Sequence, residues 1–442
     1  MEHSYNIRKY AVDKIAFLGL LIASLLVARL VTTARFSIKL SGPIKSTGVD
    51  LLVSMPNGNG WHSEDRWRFR NNAFFISSVF AVRSGGVTAL AHCRYFLAAE
   101  KNPPDTQFER KASALGGAVE KTDKIKTDSL VVNWAHIRKQ RTPFELFFGT
   151  AELPNGRQIN IEVFHPAEDK ELAEEVFKLI VASLKYQDDQ LLGAGGKIVS
   201  KIKNEALKNL AGNDKGYSQK ETFLIKNEAK QDVGFAIDTM LINSPDSNKP
   251  GIQSANYYYI QSRLEKEQVA YFQGNNDLTE FTWKGEVSGA EGAVGTEVTL
   301  DSNGAMTIGI PGSATEEEKY YPGPASIPDI FAEFAFAVML DSDCREIILD
   351  VIQSDGTIVP TLISRIEIKN IPADENFACA FNVEFLNGQG YSEKVYLDGN
   401  RQIAKILLQQ ENLYIIERAE VQDIFEKFPQ QGERVLQRKL LD

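Results

Sequence analysis

The sequence FFGTAELPNGRQINIEVF, residues 147–164, places an apolar run on each side of Pro154-Asn155-Gly156. Pro, Asn and Gly end strands and supply turns, so residues 144–150 and 158–164 form a predicted antiparallel pair. Working outward, similar runs rich in Val, Ile and Phe lie at 35–40, 49–55, 73–82, 87–96 and 129–138, and Pro56-Asn57-Gly58-Asn59-Gly60 supplies another turn. Two helices interrupt them. Residues 107–115 are weakly periodic, whereas 168–185 repeat Leu172, Val176, Phe177, Ile180, Val181 and Leu184 at spacings of three and four. The prediction for 36–187 is an α+β domain, an antiparallel sheet with flanking helices.

The order of DLLVSMPNGNGW (50–61), VVNWAHIR (131–138), FFGTAELPNGRQINIEVF (147–164) and ELAEEVFKLIVASLKY (171–186) resembles the PsbP-like family. That resemblance implies an αβα sandwich and a non-enzymatic binding or assembly role. It is a pattern of fold rather than of an active site, and implies no photosynthetic role.

Residues 188–215 contain Gly193-Ala194-Gly195-Gly196-Lys197, which fails as a phosphate loop. Leu191 stands where the motif needs Gly, and Ile198 where it needs Ser or Thr. The reading is a glycine hinge followed by an amphipathic helix with Ile198, Ile202, Ala206 and Leu210 on one face.

Residues 216–442 read as strand after strand, separated by turns such as Ser302-Asn303-Gly304, Ser354-Asp355-Gly356, Asn387-Gly388 and Asp398-Gly399. One helix is predicted at 329–340, and its run IFAEFAFAVML is apolar nearly all round, so it should be buried. A mainly-β domain of curved antiparallel sheet with one buried helix follows. With Trp283-Lys284-Gly285, and Tyr320-Tyr321-Pro322-Gly323-Pro324 ahead of the helix, it is distantly similar to the unclosed barrel of bacterial lipoprotein carriers. That family holds acyl chains inside; a barrel filled by its own side chains is the alternative.

At the N-terminus, residues 15–28 read IAFLGLLIASLLVA, and the apolar run continues past Arg29 to Ala34. A helix rising about 1.5 Å per residue over 15–34 spans about 30 Å, the thickness of a bilayer core. Residues 1–35 are thus a single transmembrane anchor in contact with the membrane through 15–34, or a signal peptide with Arg8, Lys9 and Lys14 ahead of a Thr32-Thr33-Ala34 cleavage site. Arg35, Lys39 and Lys45 balance the upstream charges, so the positive-inside rule gives little bias. The short leading tail favours export, with 36–442 outside the cytoplasm.

Charge is uneven. The net −10 conceals residues 216–442, where 19 Lys/Arg face 36 Asp/Glu. Such a surface repels nucleic acid, which is not an expected partner. Cys93, Cys344 and Cys379 show no zinc spacing and read as buried thiols, with a Cys344–Cys379 pairing left open.

No GxSxG, HExxH or EF-hand pattern is present. His62, Glu64 and Asp65 are either a metal or acid/base group or a polar loop; Trp61, Trp67 and Trp134 are either an aromatic ligand face or core. His92, His136 and His165 stand alone in the sequence as ordinary strand or turn residues, Glu316, Glu317 and Glu318 as a solvated loop, and Asp341 and Asp343 as a helix-ending turn or an acidic site. No catalytic, metal or cofactor-binding residue is assigned, and no cofactor is expected. The function expected is a non-enzymatic, membrane-tethered extracytoplasmic protein that binds or assembles other envelope proteins. A carrier or sensor of a lipid or other apolar ligand in 216–442 is the alternative, and a hydrolase using His62, Glu64 and Asp65 the second.

Overall fold

The computed structural model describes residues 38–437 apart from 82–86, 141, 213–215, 244–250, 262–265, 290–291, 311–318 and 368–376. The apolar segment 15–34 and the run Glu316-Glu317-Glu318 lie outside the described residues. Among those described, no helix is long and apolar enough to cross a membrane.

The expected hairpin forms: Phe144–Glu152 and Gln158–Pro166 pair antiparallel from Phe144↔Pro166 to Glu152↔Gln158. Gly156 turns the chain at φ +79°, a left-handed conformation that glycine adopts without a Cβ clash. The pair belongs to an eight-stranded antiparallel sheet with Trp61–Ser63, Arg68–Arg70, Ala73–Ala81, Val87–Phe96, Gly117–Lys126 and Val131–Lys139. Successive strand residues face opposite sides. Phe148 accordingly meets Phe108 of the helix Pro104–Ala114, and Phe147 meets Phe177 of the helix Lys170–Ser183 on the other face. A three-stranded sheet of Ile44–Ser46, Val49–Val53 and Lys185–Tyr186 lies beside it. The first predicted strand, 35–40, is reduced among the described residues to one bridge between Leu40 and Pro56.

The second half is a sixteen-strand ladder. It runs from Ser326–Pro328 through Glu346–Ile352, Ile358–Ile366, Cys379–Phe385, Ser392–Leu397 and Ile403–Gln409 to Leu413–Arg418. Leu413–Arg418 pairs with Tyr217–Asn227, and the order then follows the chain to Lys319–Pro322 before ending on Ala98–Ala99 of the first half. The sheet does not close on itself, but it curls. Phe331 contacts Phe272 at a ring distance of 5.2 Å and Phe336 contacts Phe381 at 4.8 Å, so one short segment touches strands far apart in the ladder. The predicted helix is two pieces, a 3₁₀ turn Asp329–Phe331 and the helix Phe334–Leu340. Phe331, Phe336 and Met339 are buried, while Phe334 is only half-buried.

The glycine stretch read as a hinge is helical, within Gln190–Lys201. A Cβ on Gly195 would fall 1.9 Å from the Ile348 carbonyl oxygen, so the helix backbone lies directly on the strand Glu346–Ile352. A π-turn at Ile202–Ala206 then inserts one residue. It brings Leu207 rather than Ala206 into the core. One apolar cluster extends from Val49 and Phe177 through Ile198 to Leu349 and Phe381, and is shared by both halves. All three cysteines are free thiols, Cys93 and Cys379 buried.

Candidate functional site

Inside the curl lies a cavity of about 600 Å³. Alternation along the strands turns Val351, Ile363, Val383, Val395 and Ile406 toward it as an apolar wall. The floor is different. The 3₁₀ turn and the residues after it supply Asp329 and Glu333, and the strand Ser392–Leu397 supplies Glu393. Asp329 keeps accessible surface, and since it lines the cavity that surface faces the interior of the sheet rather than the outside.

These carboxyls influence one another. Burial first, and then Glu221, Asp238 and Asp329, push Glu333 up to about 8, with Arg418 opposing. Burial, with Asp329 adding to it, raises Glu393 to about 7. Burial raises Asp329 to about 6 against a hydrogen bond from Gln353. Asp238, also raised to about 6 by burial, accepts a hydrogen bond from Asn256 Nδ2 at 2.7 Å. Arg418 is paired with Glu221 and hydrogen-bonded to Gln402. Among the described residues, neither Glu333 nor Glu393 has a cationic partner within salt-bridge reach. The cavity therefore combines an apolar wall with carboxyls that, among the described residues, form no salt bridge, a lining suited to a ligand with an apolar body and a cationic end.

The residues singled out in the sequence lie elsewhere. His62 is exposed, and Glu64 accepts from the Ser77 amide and pairs with Arg68 at 2.9 Å. Asp65 is exposed beside them. Trp61, Trp67 and Trp134 are buried in the core and present no aromatic face to a ligand. Asp341 caps the end of its helix and pairs with Arg401 at 2.6 Å. The cavity carboxyls were missed because they are contributed by strands and a turn far apart in sequence. A signal was present in Glu333, a carboxylate within an otherwise apolar helical run. His136 and His165, solitary in the sequence, meet beside Glu145 on one face of the first sheet.

No protein-family model matches the chain, and no curated protein matches it either. Among solved structures it is similar to the beta-barrel-like protein of domain of unknown function DUF1849 from Brucella abortus, at 9% identity and a TM-score of 0.35. The match covers 46% of this chain and 95% of that one, a likeness too distant to carry a functional argument.

Proposed function

We propose that this protein is a non-enzymatic binding protein that takes a cationic amphiphile into the curved sheet, tethered to a membrane through residues 15–34 with its folded part outside the cytoplasm. The observation that carries the reading is the pairing of an apolar wall with Asp329, Glu333 and Glu393, carboxyls that form no salt bridge among the described residues. A purely apolar ligand would leave those groups unpartnered and desolvated, at a cost of several kcal/mol per ion if they stayed charged. A cationic end would supply the missing charge. The helices on both faces of the first sheet accord with the sandwich that the PsbP-like resemblance implies, and in this reading that half contacts partner proteins of the envelope.

The experiment is native mass spectrometry of the full chain extracted from its own membrane. The reading expects a co-purified positively charged amphiphile, lost when Glu333 and Glu393 are both replaced by Gln. An anionic or neutral lipid retained equally by the variant would contradict it.

A further inference from the structure

His136, Glu145 and His165 come from three adjacent strands, Val131–Lys139, Phe144–Glu152 and Gln158–Pro166. Register brings them to one face: Glu145 lies opposite His165, and Phe147, two residues along, lies opposite His136. Both imidazoles stack on the Phe147 ring, at 4.7 and 5.2 Å. One donor atom from each of the three residues lies within 4.8 Å of the others, and all three residues are buried.

The hydrogen bonds around the cluster decide which ring atoms are available. His165 Nδ1 lies 2.7 Å from the Pro166 carbonyl oxygen, which can only accept, so Nδ1 carries the proton and Nε2 the lone pair. Among the described residues that Nε2 has no hydrogen-bond partner, although the residue is fully buried. His136 Nε2 is 2.9 Å from Glu145 Oε2, while its Nδ1 faces Glu120 Oε2 at 3.2 Å. Glu120 is itself held by Arg138 at 3.3 Å and Lys170 at 3.6 Å.

We infer that His136 Nε2, Glu145 and His165 Nε2 form a three-ligand site for a transition-metal dication of the zinc class. Two imidazoles and a carboxylate are a ligand set zinc accepts, with the fourth position left to water. The surroundings match what such ligands require. A metal-binding histidine donates its other N–H to a carbonyl or a carboxylate; here the Pro166 carbonyl takes the His165 N–H, and Glu120 Oε2 stands 3.2 Å from His136 Nδ1 without a hydrogen bond formed between them. For the metal to bind, the proton between His136 Nε2 and Glu145 must leave that position, and Nδ1, which faces Glu120, is where the neutral ring carries it. Glu120 and Arg138, beside the cluster, also line a cleft of about 560 Å³.

The test uses the full chain, freed of any affinity tag and stripped with a chelator, titrated with Co²⁺ and then Zn²⁺. The unaltered chain should take up Co²⁺ with the intense visible absorption of four-coordinate nitrogen and oxygen ligation, and one equivalent of Zn²⁺ should abolish it. A weak six-coordinate spectrum, or no uptake, would overturn the site. His165→Gln should lose the spectrum. The partly exposed Glu120→Gln, which leaves the three ligands in place, should weaken Zn²⁺ roughly 10- to 100-fold. Unchanged binding in both variants would place the metal elsewhere, and if His165→Gln does not fold, the native spectrum and Glu120→Gln still decide.

Discussion

Arg157, in the turn of the first sheet, donates two hydrogen bonds to Asp350 of the second, at 2.7 and 2.6 Å, with both side chains almost fully buried. Its other terminal nitrogen donates to Gly48 O and Tyr95 Oη, each at 2.9 Å, and Tyr95 in turn donates to Asp50. The guanidinium is thereby satisfied across the junction between the halves. Replacing Arg157 by Met should leave Asp350 as a buried unpaired carboxylate, at a cost of about 3 to 5 kcal/mol. Chemical denaturation should show that loss, and Arg157→Met with Asp350→Leu should recover a large part of it. Equal losses for the single and double variants would mean that the ion pair contributes nothing beyond packing.

Gly193 and Gly195 give a contrast within one helix. A Cβ at position 193 meets nothing within 4 Å, whereas at 195 it meets the Ile348 carbonyl at 1.9 Å. Gly193→Ala should therefore stabilise by up to about 1 kcal/mol through helix propensity. Gly195→Ala should push the helix off its strand, and overpacking of this kind costs about 1 to 3 kcal/mol or more. Thermal melts of the two variants should move in opposite directions.

The apolar cluster shared between the halves also bears on dissection of the chain. Residues 36–187 and 216–442 expressed apart should each expose apolar surface that the partner half and the helix Gln190–Lys201 now cover. Light scattering should reveal aggregation of the separate pieces under conditions where the whole chain stays monodisperse. Two soluble, cooperatively melting fragments would show that the interface adds little.

Much of the fold was legible, because strand alternation and turn residues are local signals. The hairpin around Gly156 and the helix carrying Val176, Phe177 and Ile180 are there as expected. The strand Gly117–Lys126 was not foreseen, since it lies at a sheet edge with mostly exposed and charged residues that need no apolar alternation. The glycine stretch 193–196 looked like a hinge because helix propensity counts against Gly, while its reason for being there, contact with Ile348, is tertiary. The same holds for function. Glu333 and Glu393 are 60 residues apart, and His136 and His165 are 29 apart, so strand register unites the histidines, and the packing of the segment after the 3₁₀ turn inside the curved sheet unites the carboxyls.

Glu333 makes stability depend on pH in a definite direction. Its pKa rises from 4.5 to about 8 on folding, so the folded chain holds a proton that the unfolded chain has released between those values. Its contribution is fully present below about 4.5 and is lost as pH rises through about 8. The ligand-free melting temperature should fall over that window, and Glu333→Gln should flatten the decline. A steeper decline in the variant would contradict the assignment.

The proposed function is tested most directly by calorimetric titration of the full chain at about pH 9, where Glu333 and Glu393 are ionised, with decylamine and with decanoate, each below its aggregation concentration. The two probes share an alkyl chain and differ in the charge of the head. A cavity with an apolar wall and unpaired carboxyls predicts at least about a tenfold preference for the amine, equivalent to about 1.4 kcal/mol. The preference should weaken as pH falls through about 8 and then about 7, where Glu333 and Glu393 take up protons, and vanish in the Glu333→Gln, Glu393→Gln variant. Equal affinity for the two probes, a preference for decanoate, or binding of neither would contradict a cavity built for a cationic amphiphile.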